Sequence, residues 1–148
     1  MNKNYHNDLW RQMEPKDAVS PATLLQDHAQ NPRNFGDMSE GLADSYVSIT
    51  DPACGDTLEL WILVEEGRIF DIRFRSNGCA ATRAANSMMT QLALGKTVAE
   101  AEQLQDEDIV AEFQGELVQQ TGCPLAGVQA LHKALAQYEQ CHQQPEED

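Results

Sequence analysis

From Ser45 onward the chain reads in a period of two. Ser45–Thr50 places Val47 and Ile49 on one face. Thr57–Glu65 sets Leu58, Leu60, Ile62 and Val64 against Trp61 and Leu63. Arg68–Ser76 sets Phe70, Ile72 and Phe74 against Asp71, Arg73 and Arg75. Such alternation predicts half-buried strands, and Glu66-Gly67 joins the last two as a tight antiparallel hairpin. After Gly78-Cys79 the period changes: Ala81, Ala84, Ala85, Met88, Met89 and Leu92 form a helical stripe that Gly95 closes. Thr97 and Glu100 make a capping box for a short helix through Leu104. Asp106–Phe113 predicts a second short helix, with acids at its amino end where the dipole favours them. Leu125, Val128, Leu131, Leu135 and Tyr138 mark a long amphipathic helix beginning near Pro124. Ahead of the strands, Ser20-Pro21 supplies a cap and a first helical residue for a helix over Ala22–Ala29 that stops before Pro32. Three strands with helices, and no βαβ alternation, predict an α+β fold: a small three-stranded, largely antiparallel sheet covered on one face by helices.

Composition narrows this only a little. At 148 residues the chain is expected to form one domain over residues 20–142, with a mobile arm at 1–19 and a frayed acidic tail at 143–148. A formal net charge of −14 argues against nucleic acid or an anionic membrane as partner. No apolar run has the length of a membrane span, and the first thirty residues hold no signal-peptide core. The expected location is the cytoplasm, where thiols stay reduced.

Four cysteines in a reducing compartment then call for an explanation other than disulfides. Cys54 stands in the turn Pro52-Ala53-Cys54-Gly55-Asp56, just before the second strand. Cys79 stands where the third strand gives way to a helix, and Cys123 at the expected N-cap of the last helix. Helix amino ends carry unpaired N–H groups and partial positive charge, which favour thiolate, the form that binds metal and attacks sulfur. With Asp56, three thiolates and one carboxylate can surround Zn²⁺ or an iron–sulfur cluster. A carboxylate holds cluster iron less firmly than a fourth thiolate would, which suits a cluster that must leave. The bland reading of Asp56 is a turn cap. Cys141 is about 27 Å along the last helix from Cys123 and His132 about 13.5 Å, so neither is expected to share that metal. His28 stands one turn before the Asn31–Gly36 loop and could neighbour the site, and the acids from Glu100 to Glu112 read as a solvated face.

Taken together, these pieces resemble the IscU/NifU-type iron–sulfur cluster assembly scaffolds over roughly residues 22–140. The resemblance is carried by His28 with Asn31-Pro32-Arg33-Asn34 and Gly36, by Pro52-Ala53-Cys54-Gly55-Asp56, by Gly78-Cys79 opening a small-residue helix, by Gly95-Lys96 and by Cys123. It implies an IscU-like fold and a scaffold or carrier rather than a turnover enzyme. It further implies sulfur accepted from a cysteine desulfurase, a transient 2Fe–2S cluster on Cys54, Asp56, Cys79 and Cys123, and delivery to apo iron–sulfur acceptor proteins. The same cysteines would be the sulfur acceptors, and Zn²⁺ would occupy the cluster-free form. Two departures qualify the match. Gly122 stands where typical scaffolds have histidine, and Glu116-Leu117-Val118-Gln119-Gln120 replaces the segment read by a dedicated Hsp70-type chaperone, which is therefore not expected as a partner. The alternative is a zinc-bound, persulfide-accepting sulfurtransferase partner that activates a cysteine desulfurase. A structural zinc module that only binds proteins is a third reading.

Overall fold

The computed structural model describes residues 21–39, 41–51, 55–113 and 126–143. The expected arm over 1–19, the tail beyond Gln143, Cys54, Gly122, Cys123 and the Glu116–Gln120 segment lie outside the described residues.

The elements run α1 (Pro21–Gln30), β1 (Ser45–Thr50), β2 (Thr57–Glu65), β3 (Arg68–Ser76), α2 (Ala80–Ala93), α3 (Val98–Ala101), α4 (Asp106–Glu112) and α5 (Gly127–Gln143). The sheet is an antiparallel meander in the order β1-β2-β3. The α+β expectation therefore holds, and all three strand boundaries fall where the alternation put them. Glu66 and Gly67 both take positive φ, 54° and 78°, as a two-residue turn matched to strand twist requires.

One face of the sheet is dry. Val47, Leu58, Leu60, Ile62, Ile69, Ile72 and Phe74 are buried with the helical stripe of Ala84, Ala85, Met88 and Met89 and with Leu131 and Leu135 of α5. β3 departs from simple alternation. Phe70, expected inward, is 61% exposed, and Ile69 is buried instead. The cause is a β-bulge: the register passes from Leu63↔Asp71 to Val64↔Ile69, so Phe70 is the extra residue and every position before it changes face.

Two helix limits also differ from expectation. α3 closes at Ala101 rather than Leu104, although Leu104 is still buried. Its capping box is present, with the Glu100 N–H donating to Thr97 Oγ1 at 3.1 Å and the Thr97 N–H to Glu100 Oε1 at 3.0 Å. The last helix begins at Gly127, and the Ala126 carbonyl accepts from the Ala130 N–H at 2.9 Å. Ala126 is the last described residue ahead of it, and Cys123, the expected N-cap, lies outside the described residues. Gly127 makes a close approach: a Cβ here would lie 2.6 Å from Asn86 Oδ1, so the first turn of α5 can seat against α2 only at this glycine.

The Asn31–Gly36 loop is stapled to the core rather than free. The Arg33 N–H donates to Ser87 Oγ at 2.8 Å and Asn34 Nδ2 to Thr90 Oγ1 at 3.1 Å, both on α2. The Asn34 carbonyl accepts from the Phe74 N–H and the Gly36 N–H donates to the Phe74 carbonyl, so the loop extends the free edge of β3. Asn34 sits at φ 60°, a region asparagine tolerates better than most residues.

His28 completes this joint. It is 1% exposed, with Nδ1 2.7 Å from Ser87 Oγ and its ring edge-on to Phe113. Because Ser87 Oγ already accepts from Arg33, its single proton is free to go to Nδ1, which leaves His28 neutral. Burial, helped by the charge of Arg33, holds the imidazole below its ordinary value of 6.5. The unfolded chain therefore takes up this proton at a higher pH than the folded one. Stability from His28 is complete above about pH 6.5 and is lost as the pH falls from there through the lower folded value. Urea midpoints at pH 7.5 and 5.5 should fall for the wild type and fall less for His28→Gln. Equal falls would remove His28 as the cause.

Candidate functional site

Two connections meet at one end of the sheet. The first joins β1 to β2 and is pinned at its ends. The Asp51 N–H donates to the Asp56 carbonyl at 2.8 Å, the Gly55 N–H to the Asp51 carbonyl at 2.6 Å, and Gly55 takes φ 77°. Asp56 thus enters β2 with its side chain half-buried. The second joins β3 to α2. The pairing Leu58↔Ser76 brings the start of β2 beside the end of β3, and Asn77 locks them by accepting the Thr57 N–H on Oδ1 at 2.8 Å. Residues 56 and 79, far apart in the chain, become neighbours because they flank the open end of one hairpin.

Gly78 is the hinge of that meeting. A Cβ here would lie 2.9 Å from Asp56 Oδ2 and 2.9 Å from Thr82 Cγ2. The carboxylate therefore rests against bare backbone one residue before Cys79, and only glycine leaves it that place.

Cys79 is the N-cap of α2 in extended conformation, exposed, with Sγ 3.3 Å from Thr82 Oγ1. The Thr82 hydroxyl is the main reason its thiol is held below the ordinary value of 9.0. Partial burial opposes this, the backbone N–H groups of Thr82 and Ala81 assist it, and the nearby Asp56 charge opposes it. Those N–H groups act at longer range than a closed capping bond, which Sγ does not make. The sum favours thiolate, as expected for a helix amino end. Thr82→Val removes the hydroxyl and keeps the shape. The midpoint of Cys79 alkylation against pH should rise by roughly half a unit or more, and an unmoved midpoint would assign the effect to the backbone alone.

A soft thiolate beside a hard carboxylate is a donor pair suited to iron or zinc. Among the described residues no three His, Cys, Asp or Glu side chains converge as metal ligands. Asp56 and Cys79 are two of the four expected ligands. Cys54, which directly precedes Gly55, and Cys123 lie outside the described residues. Of the other candidates, His28 belongs to the α1–α2 joint, Cys141 is exposed on α5, and His132 is half-buried on α5, in range of Glu102 and Asp106. Sequence reasoning missed Asn77 and Thr82. Thr82 had a signal, since a hydroxyl three residues after an N-cap is at capping distance. Asn77 had none beyond being a turn residue.

Comparison with known proteins identifies the chain's family. The profile of the NifU-like N terminal domain family matches residues 22–145. The iron-sulfur cluster assembly scaffold protein IscU 1 of Archaeoglobus fulgidus is 42% identical over 113 residues, covering 76% of this chain and 72% of that one. The IscU scaffold protein of Escherichia coli is 35% identical over 116 residues, covering 76% and 88%. The crystal structure of a nitrogen-fixing NifU-like protein (N-terminal) from Brucella abortus superposes with a TM-score of 0.64 at 17% identity, over 79% of this chain and 92% of that one, a likeness of fold. With a family match across most of its length and relatives this similar, the chain belongs to the IscU/NifU family, as a NifU-like N-terminal domain.

Proposed function

We propose that this protein is an iron–sulfur cluster assembly scaffold that builds a labile 2Fe–2S cluster on Cys54, Asp56, Cys79 and Cys123. The observation that carries the reading is the meeting of a thiolate-favouring Cys79 with Asp56 across Gly78, in a chain of this family. Cys54 and Cys123 enter by their position in the sequence.

The chemistry needs an exposed, partly ionised thiol. A desulfurase persulfide carries a terminal sulfur that the Cys79 thiolate attacks. The new S–S bond forms on Cys79, and the desulfurase cysteine leaves as thiolate. Reducing two such sulfurs to sulfide takes four electrons. Two ferrous ions becoming ferric supply two of them, and an external reductant supplies the others. Asp56, a hard oxygen donor on sulfur-loving iron, is the ligand most easily displaced when an acceptor protein presents its own thiolates. Free thiols of this kind persist in a reducing compartment such as the cytoplasm. No part of the sequence calls for chaperone-assisted release.

The test is anaerobic reconstitution of the full chain with ferrous iron, cysteine, a reductant and a cysteine desulfurase. A visible cluster, removable by an apo-ferredoxin, is the expected result. Tight zinc with no cluster, together with faster desulfurase turnover, would replace this reading by the zinc-bound sulfurtransferase.

A further inference from the structure

Cys79, at the N-cap of α2, and Thr82 and Asn86 on the helix lie at i, i+3 and i+7, a polar stripe distinct from the Ser87 and Thr90 that hold the Asn31–Gly36 loop. Asn86 is the anomaly among them. It is 2% exposed, and its Nδ2 has no hydrogen-bond partner among the described residues. An amide in that position loses its hydration without compensation, so such groups are rare and usually bonded to protein or to internal water.

The surroundings say which. Asn86 Oδ1 is turned to Gly127, at the first turn of α5, where unpaired N–H groups favour an oxygen. Asn86 also lines a cavity of about 20 Å³, shared with Asp56, Thr82 and Ser76. A cavity needs roughly 10–15 Å³ to hold one water, so this small one has room for water. The residues that line it offer a water a donor in the Asn86 amide, an acceptor in the Asp56 carboxylate, and a hydroxyl on Thr82 or Ser76. Internal waters typically make about three such bonds.

We propose that Asn86 is a positioning residue for Asp56, acting through one internal water held between α2 and the turn entering β2. The water accepts from Asn86 Nδ2 and donates to the Asp56 carboxylate and to one hydroxyl. Asp56 is thereby fixed from behind, against Gly78, with its outer oxygen left for the cargo. Two glycines give these side chains their room, Gly78 beside Asp56 and Thr82 and Gly127 beside Asn86. The inference deepens the scaffold reading, and its role for Asp56 rests on that reading.

The experiment has two arms on the full chain. In the first, ¹⁵N-labelled protein is examined for a nuclear Overhauser contact between the Asn86 side-chain amide and water, with the sign of a long-lived water. Its presence is expected, and its absence overturns the proposal. In the second, the half-life of the reconstituted cluster is measured for Asn86→Ala alone and in an Asp56→Ala background. The single change should move the half-life toward that of Asp56→Ala, by about threefold, and have no effect within error in the double variant. An equal effect in both backgrounds would mean a merely structural role and overturns the proposal. Asn86→Ser keeps a donor that can reach the water, and should recover part of the wild-type half-life; it also serves if Asn86→Ala does not fold. A wild-type chain that forms no cluster sinks the scaffold reading instead, and the first arm alone then decides the water.

Discussion

Cys79→Ser is expected to cut the yield of reconstituted cluster by roughly tenfold or more, because a hydroxyl is neither ionised at neutral pH nor a soft ligand for iron. The same change should not harm the fold. Cys79 is exposed and sits at the N-cap of α2 without a closed capping bond. Serine is among the best residues for that position, so the unfolding free energy should stay level or rise by up to about 1 kcal/mol. Loss of function with unchanged or raised stability separates a chemical role from a structural one. Mass spectrometry after mixing with a loaded desulfurase should find no added sulfur at residue 79. Full cluster yield from Cys79→Ser would remove Cys79 from the ligand set.

Asp56→Ala is expected to act in the opposite direction and lengthen the life of a bound cluster. The carboxylate is the hardest and most exchangeable donor of the expected set. Alanine leaves that coordination position to a thiol from the assembly mixture, a softer donor held more firmly. The absorbance of the reconstituted cluster should therefore decay several-fold more slowly, about fivefold by the preference of iron–sulfur sites for sulfur ligands. Transfer to apo-ferredoxin should slow with it. The backbone cost is small, because the described backbone bond of residue 56 in this connection uses its carbonyl, which alanine keeps. A cluster lost as quickly as from wild type would count against the role assigned to Asp56.

Much of this fold could be read from the letters because its sheet has one wet face and one dry one. Strand limits followed from alternation, the β2–β3 turn from Glu66-Gly67, and the α3 capping box from Thr97 and Glu100. What alternation could not reveal was the bulge at Phe70. Both the true and the expected register bury an aromatic or aliphatic residue, so the pattern is degenerate and only the pairing with Leu63 and Val64 decides. The start of α5 was hidden for a different reason. The contact between Gly127 and Asn86 that goes with it is tertiary, and no local rule announces it. Within the site, residue type pointed to Asp56 and Cys79. Their supports, Asn77, Thr82 and Asn86, act through geometry, and ordinary polar letters do not announce it.

The way β2 and β3 are joined has a consequence for how the site breathes. The hairpin is closed by its turn at Glu66-Gly67, while Asp56 and Cys79 flank its open end. Opening the site and fraying the hairpin are then one motion, counted in the same few backbone hydrogen bonds. The Thr57 amide, held by Asn77 Oδ1, and the Asn77 amide, held by the Thr57 carbonyl at 3.3 Å, are the last bonds of that zipper. Their hydrogen exchange is a built-in gauge: cargo that bridges the two flanks should slow it, while the amides beside Gly67 should exchange as before.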